Sequence, residues 1–323
     1  MIKKYKISVP KSTLNEIYKK VRNFPWSAAQ NMNGWEYGTN LNYLKNISKY
    51  WITKYNWKKF ENKINSFKNY KTKVEDINLH FIFEKSKNPN SKQLLLLHGW
   101  PGSITEFLDI IPRLAHPEKF GGKIEDGFDI IVPSLPGFGF SSQIKKALGP
   151  RKIGKILNKF MVKNLGYKNY FVQGGDWGAT IAGWIGLDSS KNCKGIHINC
   201  LPLRHPKGPK NSKEKKWEKK FNFDQIMQEG YRTQQATKPQ TLSYAMIDSP
   251  VGTAAWILEK FYSWSDLKKG NIENVYSKDL LLSNIMIYIL TKTFNSAAWI
   301  YFGRREEGGS CLLYTSDAAD DSY

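Results

Sequence analysis

The chain has 323 residues, of which 41% are hydrophobic and 14% aromatic. This supply of core-forming side chains excludes a disordered or low-complexity protein and allows one enlarged domain or two compact ones. The three cysteines form neither a disulfide framework nor a metal-binding spacing. No apolar run approaches the ~18 residues that a membrane-spanning helix requires.

The net charge of +21 comes from 49 lysine and arginine residues against 28 aspartate and glutamate residues. Most of the positive charge is spread along the chain, and one lysine cluster at 207–220 is interrupted by Glu214 and Glu218, as expected for a solvated helix face or a loop. No nucleic-acid recognition module is evident, so we predict no nucleic-acid partner. The charge would permit contact with an anionic membrane surface without requiring it. The opening residues lack the apolar stretch of a signal peptide.

The first 90 residues predict a helical, tryptophan-rich segment that leads into a sheet. A spacing of three and four residues between apolar positions predicts a helix from 12 to about 24, where Thr13 and Glu16 have capping-box spacing. The apolar residues of a second predicted helix share one face: Leu41, Leu44, Ile47 and Trp51. The apolar period then changes to two, which predicts a half-buried strand. Its apolar residues are Ile77, Leu79, Phe81 and Phe83.

Four short apolar runs follow, of the kind that fills a parallel sheet buried on both faces. They are residues 94–97, 128–132, 170–172 and 195–199. Because turns and helical patterns separate them, we predict an α/β fold with a doubly wound, mostly parallel sheet. After Pro206 the chain becomes lysine-rich and then helical, which predicts a helical cap.

These patterns suggest a division of the chain into four parts. We expect an N-terminal helical segment at 1–90, the first part of an α/β core at 91–205, a helical cap at 206–308 and a tail at 309–323.

Two turns at the ends of predicted strands carry residues suited to catalysis. The HGWPGS turn at 98–103 can point backbone N–H groups into a site. The QGGDWG turn at 173–178 places Asp176 between glycines, as in a G-x-nucleophile-x-G elbow. Taken alone, Asp176 could equally cap the following helix. Together with the PSLPGFGFS segment at 133–141, the two turns favour a catalytic site, because the carboxyl ends of parallel strands meet at one edge.

An aspartate nucleophile restricts the reaction. A carboxylate is anionic at neutral pH and can displace a leaving group from a saturated carbon, which leaves an ester on the enzyme. Water must then cleave this ester at its carbonyl group, and that step needs an oxyanion hole. The candidate donors are the backbone N–H groups of Trp100 and Trp177. Epoxides and alkyl halides are the substrates that suit this chemistry.

With these motifs, the sequence resembles the microsomal-type epoxide hydrolases, which include the juvenile hormone epoxide hydrolases of insects. The resemblance runs from about residue 5 to about residue 308. Besides the two turns it includes cap motifs: EGY at 229–231, TKP at 237–239, DSPVG at 248–252, ILEKF at 257–261 and SAAWIY at 296–301. It implies an α/β-hydrolase fold with Asp176 as the nucleophile. It also implies that Tyr231 and Tyr301 hydrogen-bond the epoxide oxygen and protonate the leaving alkoxide.

The resemblance further implies hydrolysis of epoxides to vicinal diols without a cofactor or metal. Juvenile hormone, other lipid epoxides and xenobiotic oxides, including those of aromatic hydrocarbons, are all compatible substrates. It implies a location at the cytosolic face of the endoplasmic reticulum membrane, although no anchor is visible in the sequence. Two alternatives stay open: a haloalkane dehalogenase-like hydrolase, which would not need the tyrosine proton donors, and a non-catalytic lipid-binding relative.

The resemblance also implies an acidic residue and a general-base histidine after the cap, and the sequence shows neither there. The five histidines are His80, His98, His116, His197 and His205. We expect His98 to be held in its turn and His197 to lie in the core of a strand. From about Gly309 the residues, including Cys311, resemble the conceptual translation of a sequencing-library adapter. We therefore expect the natural protein to continue beyond 308, and this chain to form an ester on Asp176 without sustained diol release.

Overall fold

A computed structural model describes residues 1–30, 34–200, 208–267 and 270–308. Within these residues, seven strands form one mixed sheet with the order β1-β2-β3-β5-β4-β6-β7. The strands are β1 (Lys3–Lys4), β2 (Asn69–Val74), β3 (Ile77–Glu84), β4 (Gln93–Leu97), β5 (Asp129–Pro133), β6 (Tyr170–Gly174) and β7 (Cys193–Ile198).

The four apolar runs predicted as a parallel sheet form β4, β5, β6 and β7. Strand β4 pairs in parallel with β5 and β6, and β7 pairs in parallel with β6. The N-terminal side of the sheet is antiparallel, since β1 pairs with β2, β2 with β3, and β3 with β5. Strands β1 and β2 were not predicted, because their lysine-rich sequences lack an apolar run. The doubly wound core is therefore confirmed, with an antiparallel extension.

Strand β3 differs from its prediction, because it is buried on both faces. His80 and Ile82, which alternate with the predicted apolar residues, are both 0% exposed. The cause is the packing of aromatic rings on the second face, where Tyr5 and Phe140 lie with their ring centroids 5.7 Å and 5.3 Å from that of His80. His80 is satisfied there by Ser134 Oγ at 2.9 Å from Nδ1 and by Asn69 Oδ1 at 3.0 Å from Nε2.

Six α-helices lie in the described residues before β7; the sequence predicts the first two by apolar spacing and the last three as helical patterns between strands, whereas the third was not predicted. They are α1 (Lys11–Arg22), α2 (Leu41–Thr53), α3 (Trp57–Asn65), α4 (Ile111–Ala115), α5 (Pro150–Lys159) and α6 (Trp177–Asp188). The capping box predicted for α1 is wrong: the helix follows Pro10 and has no side-chain cap. In contrast, the Asn40 side chain caps α2 by accepting a hydrogen bond from Tyr43 N at 2.9 Å.

After β7 the described residues form helices and no strand, as predicted. These helices are α7 (Ser212–Gln228), α8 (Gly230–Thr237), α9 (Pro239–Asp248), α10 (Pro250–Ser263), α11 (Lys278–Thr291) and α12 (Phe294–Glu306). The lysines at 210–220 are exposed on and before α7, which confirms a solvated face. Across the described residues, no helix combines the length and apolar character that crossing a bilayer would need.

The N-terminal segment is attached directly to the later helices. Trp35 stacks on Tyr262, with 3.9 Å between ring centroids. The Lys20 ammonium group pairs with Asp248 Oδ1 at 2.5 Å, and the Thr39 hydroxyl donates to the Ala255 carbonyl oxygen at 2.6 Å. The segment therefore contacts both α9 and α10.

Candidate active site

Asp176 stands in a sharp turn between β6 and α6, as the glycine spacing predicts. Its φ of 49° and ψ of −124° are strained for a residue with a side chain. The turn needs glycine at two positions: a Cβ on Gly174 would lie 2.1 Å from the Gly178 carbonyl oxygen, and one on Gly178 would lie 2.0 Å from the Leu97 carbonyl oxygen. Asp176 makes no side-chain cap to α6. The helix-cap alternative is therefore wrong.

The turn after β4 lies against this aspartate. The backbone N–H of Trp100 donates to Asp176 Oδ1 at 2.8 Å, and the backbone N–H of Trp177 also donates to the carboxylate. A Cβ on Gly99 would lie only 2.0 Å from Oδ1, so the close approach requires glycine there. The two candidate oxyanion donors thus both face one carboxylate.

The surrounding protein changes the acidity of Asp176. Desolvation raises the pKa of its carboxyl group to about 6, against the opposing effect of the N–H groups of Trp177 and Trp100. Glu106, which was not predicted, follows the same turn and accepts backbone hydrogen bonds from Gly99 and Ser103. Desolvation first, and then the charge of Asp176, raises the pKa of Glu106 to about 8. Asp176 is therefore the more acidic group of the pair, and it lines a cavity.

Helix α11 and His98 hold the HGWPGS turn in place. The Asn284 side-chain amide donates to the Pro101 carbonyl oxygen at 2.7 Å, and the Tyr288 hydroxyl donates to the Gly102 carbonyl oxygen at 2.7 Å. His98 is held in its turn, as predicted, with Nδ1 3.0 Å from the Gly99 carbonyl oxygen and Nε2 accepting from Leu135 N at 3.2 Å. The sequence did not predict Asn284 and Tyr288, because nothing in their spacing relates them to residues that lie 183 and 186 positions earlier.

Both predicted tyrosines reach the same site from the helical part of the chain. Tyr231 in α8 lies parallel to Trp100, with 5.4 Å between centroids. Tyr301 in α12 stands at 90° to Trp177 with 4.7 Å between centroids, and at 86° to Tyr231 with 5.7 Å between centroids. Desolvation raises the pKa of Tyr231 to about 12, with a contribution from the charge of Asp176. Desolvation and the charge of Asp176 also raise the pKa of Tyr301.

A cavity of about 150 Å³ opens onto the Asp176 carboxylate. Its lining residues are Asp176, Gln228, Glu229, Tyr231, Arg232 and Trp264. Glu229 and Arg232 form an ion pair there. A larger cavity, of about 750 Å³, lies against the apolar face of β4, β6 and β7, with Glu106 in its wall. The smaller cavity is the candidate substrate site, because it contains the carboxylate and one of the tyrosines.

The described histidines are engaged away from Asp176 or exposed. His116 Nε2 lies 3.1 Å from Glu84 Oε1. The prediction that His197 is a core residue is wrong: it is exposed, because β7 is the edge strand of the described sheet. His205 and Cys311 lie outside the described residues. The described ranges also contain no group of three or more histidine, cysteine or acidic residues able to hold a metal ion.

Two family models match the chain. One is described as the N terminus of epoxide hydrolases and matches residues 2–107, and the other as the α/β-hydrolase fold and matches residues 92–246. The chain is 35% identical to epoxide hydrolase 1 of Oryctolagus cuniculus, with 93% of this chain and 72% of that protein covered. It is 33% identical to juvenile hormone epoxide hydrolase 1 of Ctenocephalides felis, with 93% and 69% covered. These comparisons do not support the expected loss of a C-terminal part.

A solved structure shows the same fold. The juvenile hormone epoxide hydrolase of Bombyx mori superimposes with a TM-score of 0.79 at 31% identity, over 94% of this chain and 76% of that one. The predicted α/β-hydrolase fold is thereby confirmed. The comparisons favour an epoxide hydrolase over the two alternatives, a haloalkane dehalogenase-like hydrolase and a non-catalytic lipid-binding relative. The chain belongs to the epoxide hydrolase family of α/β-hydrolase enzymes.

Proposed function

We propose that this epoxide hydrolase opens its substrate by direct attack of Asp176 on a carbon of the epoxide ring. The observation that carries the proposal is the hydrogen bond from Trp100 N to Asp176 Oδ1. It holds Oδ1, and in this proposal the other carboxylate oxygen, Oδ2, forms the new carbon–oxygen bond. The ring carbon–oxygen bond then breaks, and its electron pair goes to the epoxide oxygen.

Tyr231 and Tyr301 receive the epoxide oxygen in this proposal. Their phenol groups hydrogen-bond each other beside the nucleophile. Because their pKa values are raised, both are protonated at neutral pH and can act as donors. One of them protonates the departing alkoxide, and solvent later restores its proton. A halide leaving group would need no such proton.

The second step is the hydrolysis of the ester on Asp176. Water adds to the ester carbonyl, and the resulting oxyanion is stabilised by the N–H groups of Trp100 and Trp177. The diol leaves as the acyl carbon–oxygen bond breaks, and one oxygen of the restored carboxylate comes from solvent. This step needs a general base, and we assign that role to none of the described residues.

Lipid or xenobiotic epoxides are the proposed substrates. Relatives named as juvenile hormone epoxide hydrolases support a lipid epoxide, and the aromatic residues beside the cavity support an apolar group next to the ring. The net charge of +21 supports a further proposal, contact with an anionic membrane surface such as the cytosolic face of the endoplasmic reticulum. For the chain itself we propose an N-terminal segment at 1–90, an α/β core at 91–205 and a helical cap at 206–308. The N-terminal segment is not purely helical as expected, because β1, β2 and β3 of the core sheet lie within it.

The proposal is tested by trapping the ester. The chain is incubated with styrene oxide, quenched in acid, and digested for peptide mass spectrometry. We expect one covalent adduct of the mass of the epoxide, located on Asp176. Asp176→Ala and the double variant Tyr231→Phe/Tyr301→Phe should form no adduct in the same time.

Asp188→Ala is the matched control, because Asp188 pairs with Arg151 at the far end of α6. It should form the adduct at the parent rate. An adduct on another residue, or an unchanged rate in Asp176→Ala, would contradict the proposal. In labelled water, any diol that is released must be accompanied by entry of solvent oxygen into the Asp176 side chain.

A further inference from the structure

Lys260 is a buried lysine on α10, close to the candidate active site. The residue is 5% exposed. Its ammonium group lies 4.5 Å from the centre of the Tyr231 ring and 5.4 Å from the centre of the Trp264 ring. It also forms an ion pair with the neighbouring Glu259. Removing an ammonium group from water is costly, so this position calls for an explanation beyond packing.

The position of Lys260 matters because of the charge that develops on Tyr231. A cation over the face of an aromatic ring is attracted to its electron density. This attraction grows when the phenol transfers its proton and the ring becomes an electron-rich phenolate. Lys260 therefore stabilises Tyr231 more strongly during proton donation than in the resting phenol. A group accelerates a reaction only if it stabilises the transition state more than the ground state.

Other charged groups also act on Tyr231. The negative charges of Asp176 and Glu259 raise its pKa, and Arg304 on α12 lowers it, while the hydrogen bond with Tyr301 lowers it as well. Because the ammonium group of Lys260 lies on the face of the ring, we expect it to act on the phenol in the opposite direction to its ion-pair partner Glu259. If Lys260 acts electrostatically, removing its charge and removing the charge of Glu259 should change the rate in opposite directions. If the ion pair is only structural, both changes should have the same effect.

We propose that Lys260 is a positioning residue for the ring-opening step, whose ammonium group on the face of Tyr231 strengthens the hydrogen bond from the phenol to the epoxide oxygen. The inference rests on the proposed function, because it requires Tyr231 to be a proton donor. Lys260 itself touches neither the epoxide nor Asp176 in this scheme.

The test compares three variants by the initial rate of adduct formation with styrene oxide at pH 7. Lys260→Met keeps the length of the side chain and removes its charge, and it should be about tenfold slower than the parent. Lys260→Arg keeps the charge and should recover most of that loss. Glu259→Gln removes the opposing charge and should be about two- to fivefold faster.

Melting temperatures are measured for each variant, because breaking a buried ion pair can destabilise the fold. If Lys260→Met does not fold, the more exposed Glu259→Gln decides by itself: a faster rate supports the proposal and a slower one overturns it. Equal slowing by Lys260→Met and Glu259→Gln would show that only the ion pair matters, which also overturns it.

A double-mutant cycle connects the effect to Tyr231. In a Tyr231→Phe background, Lys260→Met should have no further effect on the rate. If Tyr231→Phe itself reacts at the parent rate, Tyr231 is not the proton donor and the inference about Lys260 fails, whereas the proposed function fails only if the double variant Tyr231→Phe/Tyr301→Phe also forms the adduct. If Tyr231→Phe is slow but Lys260→Met is unchanged from the parent, only the inference about Lys260 fails.

Discussion

The ring of Tyr231 lies parallel to the indole of Trp100, with 6° between the planes and 5.4 Å between the centroids. Tyr231 belongs to cap helix α8, whereas Trp100 belongs to the turn after β4, so this pair joins the two parts of the site. Trp100 also carries the N–H group that bonds Asp176. A shift of α8 would therefore move the proposed proton donor relative to the proposed nucleophile.

The rate of adduct formation should depend on pH through Asp176. Desolvation raises the pKa of this carboxyl group to about 6, and only the carboxylate is nucleophilic. We expect the rate to rise as the pH increases, with a midpoint near pH 6 and a plateau above it. Rapid-quench measurements from pH 4.5 to pH 8, with circular dichroism to verify folding, would establish the profile. A midpoint near the ordinary value of an aspartate would contradict the predicted desolvation.

The same carboxyl group should cost the protein stability. Its pKa is higher in the folded state than in the unfolded state, so the folded state binds the proton more tightly. The stability that this provides is present below pH 4 and is lost as the pH rises through 6. Asp176→Asn should therefore melt at a higher temperature than the parent at pH 7, with a smaller difference at pH 4. A lower melting temperature at pH 7 would indicate that desolvation is not the dominant effect.

Gly99→Ala should strongly slow adduct formation. The new methyl carbon would lie 2.0 Å from Asp176 Oδ1, so the carboxylate must leave the N–H group of Trp100. We expect a loss of about a hundredfold or more in the rate, comparable to removing an oxyanion donor. Gly230→Ala is the control, because no heavy atom lies within 4 Å of its added methyl carbon. Equal rates in the two variants would contradict the described approach of the turns.

Tyr288→Phe should slow adduct formation by loosening the HGWPGS turn. The variant removes the hydroxyl group that donates to the Gly102 carbonyl oxygen at 2.7 Å and should cost about 1 kcal/mol of unfolding free energy. Tyr55→Phe is the matched control, because it also removes a buried hydroxyl group, which lies 3.0 Å from the Oγ atom of Ser283 in α11, the helix that carries Tyr288. Urea denaturation should show similar losses for both variants. Only Tyr288→Phe should also lower the rate of adduct formation, by about fivefold to tenfold. A similar fall in rate in Tyr55→Phe would show that the loss of activity follows from reduced stability and not from the HGWPGS turn.

The sequence alone determined the parallel core and the position of Asp176. Short apolar runs and glycines at fixed spacing are local features, and a strained turn such as that around Asp176 admits few other residues. The resemblance in the cap motifs then singled out Tyr231 and Tyr301, which no local pattern distinguishes from the other tyrosines.

Only the tertiary structure decided which elements meet. It buried both faces of β3, exposed His197 on an edge strand, and brought Tyr288 to a turn that lies far away in the sequence. It also placed the Lys260 ammonium group on the ring of Tyr231. Side-chain spacing within one helix or strand cannot encode these relationships, because they depend on the packing of segments that are distant in the chain.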